Sequence, residues 1–245
     1  MKLAILRALS PGRRSGVAWW LHPTHGPVGD GKHTGYLNSP EKWRHLDPDL
    51  FDALKRIVTS GHRYVSGIEN ASLLPGATFF SETIPVGGPA ISRPARRSAW
   101  FSRLDKHLEG CDLVFIDPDN GLEPDRFSIL SGNAGRSVGL AELNALARPG
   151  RALIVYHHQT RRKGGHLEEL AYWADRLRES GFERVDVLRA NPFSARAFFI
   201  LGSDEVMRHR AVKLSEWWKD RISWHVEPSL VASSLHARCD IPGPE

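Results

Sequence analysis

Apolar positions in this chain fall into two rhythms, short unbroken runs and longer stretches that return every three or four residues. The runs GVAWWLH (16–22), HRYVSGIE (62–69), ATFFSETI (77–84), DLVFID (112–117), RALIVYHH (151–158), RVDVLRA (184–190) and ARAFFILG (195–202) predict strands. The stretches DPDLFDALKRIVTSG (47–61), RRSAWFSRLDKHLEG (96–110), SVGLAELNALARPG (137–150), HLEELAYWADRLRESG (166–181) and DEVMRHRAVKLSEWWKDRI (204–222) predict helices. Asp47 stands as the cap of the first, with Pro48 behind it. In the helix after the fifth run, Leu167, Leu170, Ala174 and Leu177 form the inward stripe. Of the pairs Trp19–Trp20 and Trp217–Trp218, one ring each is expected to turn inward.

Strands alternating with helices imply a mostly parallel sheet with helices on both faces. The last two runs are joined only by NPFS, too short for a parallel crossover, so they form an antiparallel pair. The expected fold class is a three-layer, doubly wound, Rossmann-like α/β domain closed by a C-terminal antiparallel hairpin. One domain spans 1–225, and 226–245 is a tail expected to be partly disordered.

Composition narrows the class. With 41% hydrophobic and 25% charged residues in 245, the chain can bury a sizeable core. No run approaches the roughly 20 apolar residues that cross a bilayer, and the opening MKLAILRALS is too short for a signal peptide. Cys111 and Cys239 give no metal spacing and are expected as free thiols in a reducing cytoplasm. The net charge of +5 is compatible with a nucleic-acid partner without requiring one. Its clusters are Arg93, Arg96, Arg97, Arg103 and Lys106 around Trp100 and Phe101, and Arg161, Arg162 and Lys163 after the fifth run.

Candidate chemistry gathers where apolar runs end. DLVFID stops in DPDN, which sets Asp117, Asp119 and Asn120 at a strand end; RALIVYHH stops in His157 and His158; GVAWWLH leads into GDGKH. In open α/β sheets such carboxyl ends are where ligands bind. The layout, a run of strand–helix units and a reversed last strand, resembles that of class I S-adenosylmethionine-dependent methyltransferases. The resemblance implies cofactor contacts from Gly29, Asp30 and Gly31, and a ribose-binding acid at Glu69. It makes Asp117 the group that orients an amino acceptor. DPDN keeps the acid and first proline of the superfamily's polar–Pro–Pro–aromatic motif and puts Asp119 and Asn120 in the next two places. The strings GDGKHTGYL, LLPGATFFSE and CDLVFIDPDNGLE also resemble a bacterial and phage family of uncharacterised proteins, which transfers no activity.

Three readings stay open. The first is methyl transfer from S-adenosylmethionine to an amino group, with nucleic acid as the favoured substrate. The second is metal-dependent phosphodiester hydrolysis, with Asp117, Asp119 and Asn120 as oxygen ligands to Mg or Mn. There His157 or His158 serves as acid or base, and Arg161, Arg162 and Lys163 face a phosphate; Lys32 is a further candidate for substrate binding. The third is a binding module that retained the sheet without the chemistry.

Overall fold

Unbroken apolar strands need apolar cover on both faces, and the sheet has it. The structure is a computed structural model that describes residues 1–23, 33–61, 64–160 and 162–230. In chain order its strands are β1 (Ser15–Ala18), β2 (Thr78–Phe80), β3 (Leu113–Ile116), β4 (Gly121–Leu122), β5 (Ser137–Val138), β6 (Ala152–His158), β7 (Val185–Ala190), β8 (Arg196–Leu201) and β9 (Ile222–His225). Its helices are α1 (Lys2–Leu9), α2 (Pro40–Trp43), α3 (Pro48–Thr59), α4 (Val65–Asn70), α5 (Arg93–His107), α6 (Leu140–Leu146), α7 (Gly165–Glu179) and α8 (Glu205–Trp218).

Among the described residues seven strands form one sheet in the order β2-β1-β3-β6-β8-β7-β9. The pairs β2–β1, β1–β3 and β3–β6 are parallel, while β6–β8, β8–β7 and β7–β9 are antiparallel. Five strands therefore point one way, and their carboxyl ends share an edge. The fold is α/β with a mostly parallel central sheet. Successive residues alternate between two cores: Leu113 and Phe115 face the side of α1, α3 and α8, and Val114 and Ile116 face α5, α6 and α7. Trp19 and Trp20 are both buried, one in each core, so the strand pair departs from the one-in, one-out expectation. Trp218 is buried and Trp217 exposed, as expected of a helix.

Several elements match their sequence reading. Asp47 caps α3 by accepting from the Leu50 amide at 3.1 Å, and β7 and β8 pair antiparallel. Others differ. The run 62–69, read as a strand, is α4 from Val65 onward: Val65 and Ile68 share a helical face against the first core, while Tyr64, just before it, stays exposed. The first residues, left without an element, form α1, whose Leu3, Ile5, Leu6 and Leu9 are buried. The start of 137–150 is β5 before α6 begins. The helix over 204–222 stops at Trp218, where Lys219 takes φ 29°, and the chain then adds β9 to the sheet. On α7 Leu167 is exposed, and His166, Glu169 and Trp173 join Leu170, Ala174 and Leu177 on the buried side. Cys111 is a buried free thiol, and Cys239 lies outside the described residues. Among the described residues no helix is long and apolar enough to cross a membrane.

One buried charge ties the late elements together. Asp186 on β7, fully buried, accepts from Ser203 Oγ at 2.6 Å, from Arg208 Nε and Nη2 of α8 at 2.8 and 3.0 Å, and from the Glu227 amide at 3.0 Å. The segment 226–230 is held further by Arg178 on the Pro228 carbonyl and by Asp175 on the Leu230 amide. Removing Asp186 leaves Arg208 and Ser203 without their acceptor. Asp186→Ala is expected to lower the unfolding free energy by about 3–5 kcal/mol in urea titration. A loss under about 1 kcal/mol would show that water replaces the carboxylate.

Candidate functional site

The edge is assembled from β3 outward. Asp117 continues the β1–β3 ladder, its amide donating to the Ala18 carbonyl at 3.0 Å. By strand alternation its side chain shares the face of Phe115 and Leu113. There Lys2 of α1 meets it, with Nζ 2.6 Å from Oδ1 and 4.1 Å from the centre of the Tyr156 ring. Burial alone would lower the Lys2 ammonium, yet the Asp117 carboxylate and Tyr156 hold it above its ordinary value. Burial pushes the Tyr156 hydroxyl up.

The turn after β3 is fixed by backbone geometry. Asp119 pairs with Arg136 Nη1 at 2.7 Å, and the exposed Asn120 exchanges backbone bonds with Arg136 and His158. Gly121 takes φ 97°, and a Cβ there would overlap the His157 ring. That close approach lets the Leu122 amide donate to His157 Nδ1 at 3.1 Å. With Nδ1 accepting, the ring proton sits on Nε2 and points to Glu169 Oε1, 3.3 Å away. The same oxygen accepts from the Thr160 amide and hydroxyl at 2.8 and 2.6 Å. Burial alone would raise Glu169, but the bonds from His157 and Thr160 hold it at about 2. Burial holds His157 neutral, below the usual histidine range.

His157 therefore lies under α7, edge-on to Trp173 and Phe199, and serves the turn rather than the cleft. His158 is the histidine at the edge, with Nδ1 3.3 Å from the Tyr156 hydroxyl. Beside the buried pair, His166 accepts from Arg189 Nε at 2.8 Å, and burial and Arg189 lower it to about 4.

Other expected residues are distributed as follows. Arg162 lies over the Tyr172 ring at 3.4 Å and reaches Asp125, and Lys163 is exposed. Gly29, Asp30, Gly31, Lys32 and Arg161 lie outside the described residues. Glu69 sits on α4 instead of a strand end, yet its Oε1 accepts from Trp19 Nε1 at 2.8 Å and Ser81 Oγ at 2.5 Å. It is thus fastened across the carboxyl ends of β1 and β2, and no described group bonds its Oε2. On α5 the expected basic-aromatic cluster is divided: Trp100 is buried edge-on to Trp20 and Arg97 is spent on Glu142 and two carbonyls, while Arg103 and Lys106 are exposed. Arg93 and Arg96 bind carbonyls of 86–89, and Arg103 pairs with Glu82.

Among the described residues no three His, Cys, Asp or Glu stand together as a metal group. The carboxylates proposed as oxygen ligands have cation partners, Lys2 for Asp117 and Arg136 for Asp119.

Against this edge lies a cavity of about 490 Å³. Trp19 and Ile68 line it near β1; His33, Tyr36, Trp43 and Phe193 line it near the β7–β8 hairpin, with Lys2 and Arg196 at its floor. Trp19 follows β1 and Arg196 opens β8, three strands along the sheet, or roughly 14 Å at ordinary strand spacing. Sequence reading missed Lys2, Tyr156, Glu169 and this aromatic wall. The signal within reach was LEEL, where a glutamate occupies the helical position next to Leu170. Compared with protein-family models, curated proteins and solved structures, the chain has no match in any of the three.

Gly121→Ala is expected to cost about 2 kcal/mol or more, because it adds a strained φ to a clash with His157. Urea unfolding with and without His157→Ala tests it: the two losses should be strongly less than additive if one contact carries both. Acid titration offers a second check. The unfolded chain takes up histidine protons near pH 6.5, whereas folded His166 resists until about 4. Stability is full above pH 6.5, falls from there to about 4, and levels off for this group below that. His166→Asn should flatten the urea-midpoint slope in that window, and an unchanged slope would remove His166 as its source.

Proposed function

We propose that this chain transfers a methyl group from S-adenosylmethionine to an amino acceptor held at the carboxyl edge of the sheet. The observation that carries the reading is the strand order. Apart from β9 on one edge and one strand fewer on the other, β2-β1-β3-β6-β8-β7 with β8 reversed follows the layout of class I methyltransferases.

The residues present fit the cofactor at two places. Glu69, pinned by Trp19 and Ser81 across the ends of β1 and β2, offers its Oε2 to a ribose hydroxyl. The adjoining cavity, walled by Trp19 and Ile68, suits the apolar face of an adenine. When bound, the cofactor supplies an electrophilic methyl on a sulfonium. The chain's own work is positioning and proton handling. Asp117, half-buried at the next strand end, orients an acceptor N–H and is placed to take its proton. Lys2 keeps that carboxylate paired and so ready for use in a site with little water.

S-adenosylmethionine should raise the melting temperature, and calorimetry should give one site per chain. Glu69→Gln keeps the acceptor for Trp19 and Ser81 but loses the charge, and should weaken binding about tenfold. Absence of binding at high micromolar cofactor would end the reading.

A further inference from the structure

We infer that the hairpin end of the cavity binds a nucleoside phosphate, through its planar base and its anionic group together. The ring evidence comes first. Phe193 stacks between His33, at 5.3 Å and 18°, and Trp43, at 5.9 Å and 19°, with Tyr36 tilted beside it at 6.2 Å. A phenyl ring from a hairpin tip thus already fills a place between flat neighbours, which a base could share or take over. Phe193 is half exposed and held at φ 69°, a backbone region that only an imposed geometry keeps for phenylalanine.

The polar edges of the same wall are unspent. Among the described residues, the Tyr36 hydroxyl, the Trp43 indole N–H and the His33 ring nitrogens make no hydrogen bond, though all three side chains line the cavity. An apolar cavity with a few converging donors and acceptors is the ordinary form of a small-molecule site.

Charge then selects the ligand. Among the described residues three charged side chains line the cavity: Lys2, Asp47 and Arg196. Lys2 is paired with Asp117, and Asp47 with Arg7 at 2.8 and 3.2 Å. Arg196 donates through Nε and Nη2 to the Ser194 and Pro192 carbonyls, and among the described residues no carboxylate meets it. Among the described residues the cavity therefore keeps one guanidinium with no carboxylate partner beside its aromatic wall, and this favours an anion there. A sulfonium would meet the wrong sign at this end. That the nucleotide is the methyl acceptor rests on the function proposed above; that it binds rests on this cavity alone.

The test titrates the four ribonucleoside 5′-monophosphates, the matching nucleosides, inorganic phosphate and a five-residue single-stranded oligonucleotide against tryptophan fluorescence. S-adenosylmethionine is titrated separately. At least one monophosphate should bind about tenfold or more tightly than its nucleoside. Arg196→Gln should erase that difference, and Phe193→Ala should weaken nucleotide and nucleoside alike, with melting temperatures confirming folded variants. Tighter binding of the oligonucleotide would identify a strand as the source of the unit, and tighter binding of the monophosphate a free nucleotide. Equal binding of nucleotide and nucleoside, binding of phosphate alone, no binding at millimolar ligand, or an Arg196→Gln protein that still prefers the monophosphate would overturn the inference. Cofactor binding without nucleotide binding leaves the methyltransferase reading standing, and the reverse leaves only the nucleotide site.

Discussion

A carboxylate at the end of a buried strand must be compensated, and the way Asp117 is compensated organises the functional edge. Its partner, Lys2, stands at the first turn of α1, whose Leu3, Ile5, Leu6 and Leu9 are locked into the first core. The ion pair therefore fixes α1 across the ends of β3 and β6, where its Lys2 ammonium also covers the Tyr156 ring. An unpaired charge at this depth would cost several kcal/mol. The helix does more than cover a core: it forms the floor of the cavity and determines which face of the edge is open to a ligand.

The other side of the edge is held by a different constraint. The DPDNG turn departs from β3 toward α7, and glycine at 121 allows the backbone to meet His157. Through His157 the turn reaches Glu169, and through Glu169 the loop that begins at Thr160. Two loops from neighbouring strands are thereby tied to one buried helix position. Asp119, paired with Arg136, belongs to the same rigid piece. The motif that looks catalytic in one dimension is divided in three: Asp117 pairs with Lys2, which lines the cavity, and the residues after it hold the turn.

What the sequence reveals depends on whether the deciding interaction is local. Asp47 with Pro48 announces α3, and NPFS dictates the β7–β8 pairing, because both signals act within a few residues. The run around Tyr64, Val65 and Ile68 satisfies a strand pattern and a helical one equally, and packing against the first core decides for α4. β9 is hidden because ISWH continues the apolar repeat of α8, and only the reversal at Lys219 separates them. Lys2 and Asp117 are 115 positions apart, so no spacing could pair them. Glu69 makes the contrast sharper. Its expected element is wrong, yet its carboxylate still reaches the ends of β1 and β2, because α4 carries it there.

Basic composition was a weaker guide than the distribution of its partners. Arginine cations are drawn into the fold as cross-links: Arg151 donates to the carbonyls of Cys111, Leu146, Leu108 and Glu109, Arg210 to those of Leu9 and Pro11, and Arg97 to Ala134 and Ser137. Each spends its donors on chain segments that would otherwise leave carbonyls unsatisfied. The donors these three arginines spend on carbonyls are not available to a phosphate. Specificity for an anion then rests on the few cations placed beside open space, and in the cavity that position belongs to Arg196. The same reasoning separates the two ends of the site, a carboxylate at Glu69 for hydroxyls and a guanidinium at Arg196 for an anion, with Asp117 between their strands.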